Sequence, residues 1–486
     1  MKKILYAGSE IMPFAATGGL GDVLGSLPAA LKRKNPDDDV RAVMPLYGQV
    51  GEAWRSKMDF VMQMTVPLAW RRQYCGVFSL VKDGVTVYFL DNEYYFKRPS
   101  LYGEYDDAER FAFFSVAVLE LMRAVDFFPD ILHANDWQTA LSYIVDIMNE
   151  IGYDFAAFGN HEFDYKLPQL AKLTKQAKYE YLACNFKYLG TGTTDITYKP
   201  YEIVDYGGAV NLTKGAIVCA DYVTTVSPNY AKQIQTEEYS SGLHYILRQY
   251  GYKIDGIVNG IDTAYYDPAS DPELPYHYSA RGLLGKMKNK DELQTRFGLA
   301  LRPDTPIIAM ISRLASHKGF DLVLAVFDEM MRDDVQFILL GTGERGFEEF
   351  FRAAAARYPG RVSVNLTYDR AMSKLIYAGA DIFLMPSRSE ACGLSQMIAS
   401  RYGTVPVVRE TGGLYDTIKP YGPDRSGNGF TFASYNAHDM LHVIREAEGL
   451  YRDTENWKAL VKKIMKIDFS WNASAQTYDR LYERLI

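Results

Sequence analysis

Residues 376–417 read IYAGADIFLMPSRSEACGLSQMIASRYGTVPVVRETGGLYDT, and their pattern decides the fold. Ala380 to Pro386 is a short apolar run that ends in Pro-Ser, the signature of a strand buried on both faces of a parallel sheet. The polar loop Ser-Arg-Ser-Glu-Ala-Cys-Gly follows, and then a predicted helix from Leu394 to Tyr402. Thr404 to Arg409 repeats the buried-strand pattern, and Glu410-Thr-Gly-Gly413 turns into another helix. Open α/β sheets bind ligands just beyond the carboxyl ends of their strands. Glu390 and the Gly412-Gly413 pair both fall at such ends, so this stretch is a candidate ligand site.

Working outward, the same alternation continues on both sides. Strands are predicted at Ile307–Ser312, Val335–Leu340 and Val362–Asn365, with a helix at Phe320–Met331. An earlier alternating set opens with a strand at Ile4–Gly8, a helix at Gly21–Lys34 and a strand at Asp39–Met44. Val77–Val81 and Val85–Leu90 flank Lys82-Asp83-Gly84, a hairpin signal. A helix at Ala108–Val125, a strand at Ile131–Ala134, a helix at Trp137–Asn149 and a helix end and strand over Ile217–Val226 close the set. The expected fold is α/β, with two Rossmann-like domains facing a cleft and joined near residue 250. The amphipathic segment Ala473–Leu485 forms a last helix.

With 486 residues the chain exceeds what one hydrophobic core supports, which agrees with two domains. A formal net charge of −7 argues against a nucleic-acid surface, which needs concentrated Lys and Arg. No apolar run approaches the length of a membrane span, and Ile4 to Ala7 is too short for a secretory signal. Cys75, Cys184, Cys219 and Cys392 lie far apart with no C-x-x-C spacing, as expected of a cytoplasmic protein. The 37 tyrosines suit either stacking on sugar faces or a Tyr-rich fold surface.

Three clusters carry candidate chemistry. Ala16-Thr17-Gly18-Gly19-Leu20-Gly21 follows the first strand and opens the first helix; it reads as a tight turn or as a backbone-amide anion loop. Ser312-Arg313-Leu314 with Lys318-Gly319 sits between a strand and a helix and supplies two cations. Glu390 stands alone without a second carboxylate, so a hydrolase-type carboxylate pair is not evident. Cys392 has no histidine nearby in sequence and reads as a pocket-wall thiol.

These motifs resemble the bacterial glycogen synthase and plant starch synthase family, retaining glycosyltransferases of GT-B architecture. The likeness rests on P-F-x-x-T-G-G-L-G-D-V at the start, S-R-L-x-x-x-K-G-x-D, E-A-C-G-L and T-G-G. It extends to Leu132-His133-Ala-Asn-Asp136-Trp137-Gln138, Thr225-Val226-Ser227-Pro228 and Gly256-Ile-Val-Asn259-Gly260-Ile-Asp262. It implies an acceptor-side domain over residues 1–250, a nucleotide-sugar domain over 251–462, and a helix over 463–486 returning to the first domain.

The resemblance further implies transfer of glucose from ADP-glucose to an α-1,4-glucan, with neither cofactor nor metal. The choice between ADP and UDP stays open. Arg313 and Lys318 would stabilise the leaving diphosphate, and Glu390 would contact the transferred glucose. The departing phosphate would act as base on the same face. Thr17, Gly18, Gly19, Asn259, Cys392, Gly393, Leu394, Thr411, Gly412 and Gly413 would complete the donor site. Asp136, Trp137 and Gln138 would lie on the acceptor side. Ala16 stands where the family usually carries Lys.

From about Tyr153 to Tyr206 the pattern changes. Gly159-Asn160-His161-Glu162-Phe163-Asp164 is similar to the G-N-H-E-F-D block of 5′-nucleotidase metallophosphoesterases. The further D-x-H and G-H-x-H ligand segments of a dinuclear site are not found. His161 follows Phe155-Ala-Ala-Phe158 much as the synthase pocket histidine follows its strand, and it is the fourth expected catalytic residue. Two alternatives remain beside the synthase: a catalytically weak glucan- or nucleotide-sugar-binding protein, and a metal-dependent phosphoesterase.

Overall fold

The computed structural model describes residues 1–68, 71–140, 205–206 and 209–486. His161 and the rest of the 153–206 segment, apart from Asp205 and Tyr206, lie outside the described residues. The chain forms two compact units. The first takes Met1–Val223, Gly242–Ile254 and Ser474–Ile486; the second takes Thr224–Ser241 and Asp255–Ala473.

The first unit is built on a six-stranded sheet. Its strands are β1 (Lys3–Ala7), β2 (Asp39–Pro45), β3 (Asp59–Leu68), β4 (Arg71–Lys82), β5 (Val85–Asp91) and β6 (Ile131–Ala134), in the order β3-β4-β5-β2-β1-β6. β5, β2, β1 and β6 run parallel, while β3 and β4 are antiparallel additions at one edge. The helix α1 (Gly19–Lys34) buries Leu24, Leu27, Ala30 and Leu31, the one-sided apolar spacing visible in the sequence. β3 escapes that kind of reading. At the sheet edge, five residues of its Asp-Phe-Val-Met-Gln-Met-Thr run face solvent, and a bulge between Phe60 and Met62 breaks its alternation. β4 is likewise longer than the predicted hairpin arm. Of the helix expected from Trp137, the described part is a single 3-10 turn, Trp137–Thr139.

The second unit holds a fully parallel six-stranded sheet. Its strands are β7 (Ile307–Ile311), β8 (Gln336–Leu340), β9 (Val362–Asn365), β10 (Ile382–Met385), β11 (Val405–Arg409) and β12 (Phe430–Phe432), ordered β9-β8-β7-β10-β11-β12. The central runs IIAMI and QFILL are buried along almost their whole length, as a sheet covered by helices on both faces requires. Each such aliphatic or aromatic side chain contributes about 1.5–3 kcal/mol when fully buried. The strand order reverses between β7 and β10, which places a crevice at the carboxyl ends of those two strands.

Two details of the division differ from the sequence expectation. Thr224–Ser241 belongs to the second unit, because Ser227 and Gln233 hydrogen-bond Asp416 and Gly412 there. The chain rejoins the first unit at Ser474 rather than 463, since Ile464 and Met465 sit in the second core and Ile261 N–H donates to the Phe469 carbonyl at 2.7 Å.

Within the first unit the carboxy-terminal helix is fastened by Asp479, which bonds the ammonium groups of Lys2 and Lys34 and Asn35 Nδ2. Burial alone would raise this carboxyl; the three donors override it and hold it at about 2, below its ordinary 3.8. A carboxyl depressed by folding contributes stability above its unfolded value, and that stability is lost as pH falls through the folded one. The thermal midpoint of the wild type should therefore fall between pH 3.8 and about 2. Asp479→Asn should show a lower midpoint at neutral pH and a shallower fall over that window, followed by circular dichroism.

Candidate active site

The two loops that leave β7 and β10 meet at the point where the second sheet reverses. After β7 the chain turns through Ser316–Lys318 and ends that turn at Gly319, which holds a left-handed φ of +79°. A Cβ built there would lie 2.0 Å from the Pro386 carbonyl oxygen, so the residue type is fixed by both conformation and space. The His317 carbonyl accepts the Arg388 N–H at 2.8 Å, tying the two loops together. Lys318 Nζ then reaches Glu390 Oε2 at 2.7 Å, and Ser387 Oγ donates to the same oxygen at 3.1 Å. Both charged side chains are largely buried, at 21% and 12% exposed. Arg313 is exposed, with a guanidinium that takes no partner among the described residues. Burial lowers the His317 imidazole pKa, and the neighbouring Lys318 and Arg313 charges lower it further. The cationic character of this corner therefore rests on the Arg and the Lys.

The loop beyond Glu390 brings in the remaining donor-side residues. Cys392 is buried, and its thiol is pushed up to about 12 by burial. It is protonated at neutral pH and a poor nucleophile, in keeping with a pocket-wall role. The backbone of Asn259 hydrogen-bonds this thiol, and Asn259 Oδ1 is buried without a partner. Gln396 is fully buried and donates to the carbonyls of Cys392 (3.2 Å) and Gly393 (2.8 Å) and to Thr417 Oγ1 (3.1 Å). The amides of Gly393 and Leu394 take no protein acceptor among the described residues.

Gly412 and Gly413 do not present open amides. Gly412 N–H donates to Gln233 Oε1 at 2.9 Å. Gly413 N–H donates to the carbonyls of Glu390 and Ala391 at 3.2 and 3.1 Å, and Thr411 N–H to the Arg409 carbonyl at 2.9 Å. The glycines instead admit the Glu390–Cys392 backbone, since added Cβ atoms would fall 1.8 Å from the Glu390 oxygen and 2.2 Å from the Cys392 oxygen.

In the first unit the corresponding crevice lies between β1 and β6. Asn135 Nδ2 and N–H both donate to the Ala7 carbonyl, joining the two strand ends. Thr17 N–H, Thr17 Oγ1 and Gly18 N–H all donate to the Glu10 carboxylate at 2.6, 2.7 and 3.2 Å, and Tyr102 donates to it as well. The glycine loop is thus organised around an internal carboxylate, and the Gly19 amide is left beside it at the start of α1. Trp137 packs edge-on against Phe111 at 5.1 Å, and Gln138 is buried with Oε1 unpartnered.

Asp136 adopts φ 65° and ψ 176°, a region that L side chains rarely enter. Such strain costs about 1–3 kcal/mol and clusters at functional positions. Asp136→Gly should raise the unfolding midpoint, worth about 1 kcal/mol after the added freedom of the unfolded chain, while activity falls if the strain is kept for function. Calorimetric melting beside an activity assay checks both signs.

The sequence matches known proteins along its whole length. Residues 3–249 match the family described as Starch synthase catalytic domain, and residues 291–464 match Glycosyl transferases group 1. The chain is 45% identical over 485 residues to a glycogen synthase of Geobacillus thermodenitrificans, covering 100% of this chain and 98% of that one. It is 43% identical over 493 residues to one of Bacillus cereus, covering 99% of each. The catalytic domain of starch synthase IV from Arabidopsis thaliana, solved with ADP and acarbose, superposes with a TM-score of 0.82 at 31% identity over 100% of this chain and 99% of that one.

The chain belongs to the glycogen synthase and starch synthase family. It is a glycosyltransferase with two Rossmann-like α/β units of the GT-B class. The matched first-unit family runs straight through residues 153–206, the segment whose sequence alone reads as nucleotidase-like. Among the described residues no helix is long and apolar enough to cross a membrane, and no group of three or more His, Cys, Asp or Glu side chains is placed to hold a metal ion.

Glu10, Gln233 and Gln396 escaped the sequence reading of this synthase. Glu10 carried a usable signal, a carboxylate a few residues ahead of Thr-Gly-Gly in the same βα loop. Gln233 carried none, because its contact is with a loop nearly two hundred residues away in sequence.

Proposed function

We propose that this glycogen synthase transfers glucose from ADP-glucose to the non-reducing end of an α-1,4-glucan with retention of configuration. The observation that carries this reading is the Lys318–Glu390 pair at the strand-order reversal of the second sheet, with the unpartnered Arg313 close by in sequence. Arg313 and Lys318 would meet the diphosphate as charge builds on the leaving group, where cations stabilise the transition state most. Glu390 would hold sugar hydroxyls near the anomeric carbon. The departing phosphate would take the acceptor proton on the same face, which gives retention without a second carboxylate. The open amides of Gly393 and Leu394, with Asn259, Cys392 and Thr411, would line the donor. Gly412 and Gly413 would serve by seating the Glu390 loop. Thr17, Gly18 and Gly19 would contribute from the first unit, and Asp136, Trp137 and Gln138 would meet the glucan. His161 is proposed as the pocket histidine.

A cytoplasmic location fits the scattered cysteines, and no nucleic-acid or membrane partner is proposed. Incubation with ADP-[14C]glucose and glycogen tests the reading: label should enter ethanol-precipitable glucan. Calorimetric binding of both ligands without incorporation would favour a binding protein. The nucleotidase-like Gly159–Asp164 block motivates a third reading, a metal-dependent phosphoesterase, under which Mn²⁺ would drive phosphate release from AMP.

A further inference from the structure

The Thr225-Val226-Ser227-Pro228 motif finds a place in the second unit that its sequence did not disclose. Ser227 caps a short helix, Pro228–Gln233, by accepting the Tyr230 N–H at 2.9 Å. The same hydroxyl donates to the Asp416 carboxylate, which also accepts the Asn229 N–H at 3.1 Å. One end of the short helix is thereby locked to the helix Gly412–Thr417. At its other end Gln233 Oε1 accepts the Gly412 N–H at 2.9 Å and the Thr411 hydroxyl at 3.3 Å. The next amide, Gly413 N–H, donates to the Glu390 carbonyl. Thr411 is fully buried, so leaving its hydroxyl and the next amide without the Gln233 oxygen is costly.

We infer that Gln233 is a positioning residue for Glu390, acting through the Thr411–Gly413 turn. The chain of bonds is short: carboxamide to Gly412, the next peptide to the Glu390 carbonyl, and the Glu390 side chain to Lys318. Burial raises the Tyr230 phenol, with the Glu390 charge as a second cause, which puts the same short helix within electrostatic reach of that carboxylate. Removing the Gln233 acceptor frees the turn, and Glu390 loses its fixed distance to the sugar. A displacement on the order of 1 Å is enough to lower turnover by about a hundredfold.

The inference rests on the donor reading above, and the test separates the two. Gln233→Ala should lower kcat for transfer from ADP-glucose by about ten- to a hundredfold, with KM for glycogen unchanged. Amide exchange in the peptide 409–418 should become faster. Gln233→Glu retains an acceptor oxygen and should restore both. Wild-type kcat in Gln233→Ala, or an equal defect in Gln233→Glu, would overturn the positioning role. If the wild type itself transfers no glucose, the donor reading fails. Exchange then decides alone, and unchanged exchange at 409–418 in Gln233→Ala rejects the inference.

Discussion

Lys318→Ala is expected to lower kcat for glucosyl transfer by at least about a hundredfold, the scale of removing one transition-state donor, or roughly 2.7–4 kcal/mol. The geometry makes the expectation specific. Lys318 lies in a turn whose exit is fixed by Gly319 against Pro386, so no neighbouring residue can slide its ammonium into place. Its Nζ sits 2.7 Å from a Glu390 oxygen that, among the described residues, is otherwise served only by Ser387. On the proposed reading, loss of the cation would remove a partner of the diphosphate and leave a largely buried carboxylate uncompensated, which would repel that same diphosphate. Both effects act on the charge-developing step, so kcat should fall more than donor affinity. Lys318→Arg keeps the charge but replaces a compact ammonium with a planar fork, and should recover only part of the loss. Steady-state kinetics with ADP-glucose as the varied substrate measure the split. Equal kcat in wild type and Lys318→Ala would remove Lys318 from the reaction.

Gly412→Ala should be among the most damaging small substitutions in the second unit. A methyl group at this position would lie 1.8 Å from the Glu390 carbonyl oxygen and 3.2 Å from that of Ala391, both backbone atoms that cannot rotate away. The residue also holds φ +44°, where an L side chain adds about 1–2 kcal/mol. Relief requires the Glu390–Cys392 loop to lift from the helix start, which breaks the Gly413 bonds to Glu390 and Ala391. Overpacking of this kind costs about 1–3 kcal/mol beyond the conformational strain. The sum, roughly 2–5 kcal/mol, corresponds to a fall of about 4–20 °C in the melting of a unit this size. Turnover should drop with it even well below the melting point, because Glu390 moves. A variant that melts and turns over like the wild type would show that the loop seats elsewhere.

The fold was legible where periodicity is strong. The buried runs Ile307–Ile311 and Ile382–Met385 and the one-sided apolar face of Gly19–Lys34 have no other economical reading. The β3 edge strand was not legible, because an exposed edge does not alternate cleanly. Among the proposed site residues, Arg313, Lys318 and Glu390 stand out in the sequence because strand ends and charge coincide there. The bonds that position them were hidden for a different reason. Gln233 to Gly412 and Asp416 to Ser227 are long-range pairs, and nothing local in either partner announces the other. Glycines misled in one respect. Gly412-Gly413 suggests open amides, whereas close approach of another backbone is what excludes a side chain at both positions.

The most direct test follows ADP-glucose and maltotetraose with the enzyme by proton NMR. Glucosyl transfer with retention by the second-unit site requires ADP to appear in step with a new α-1,4 anomeric signal, and both to slow by at least about a hundredfold in Lys318→Ala. Release of phosphate or AMP without a new linkage, a β-anomeric product, or undiminished transfer by Lys318→Ala would contradict it.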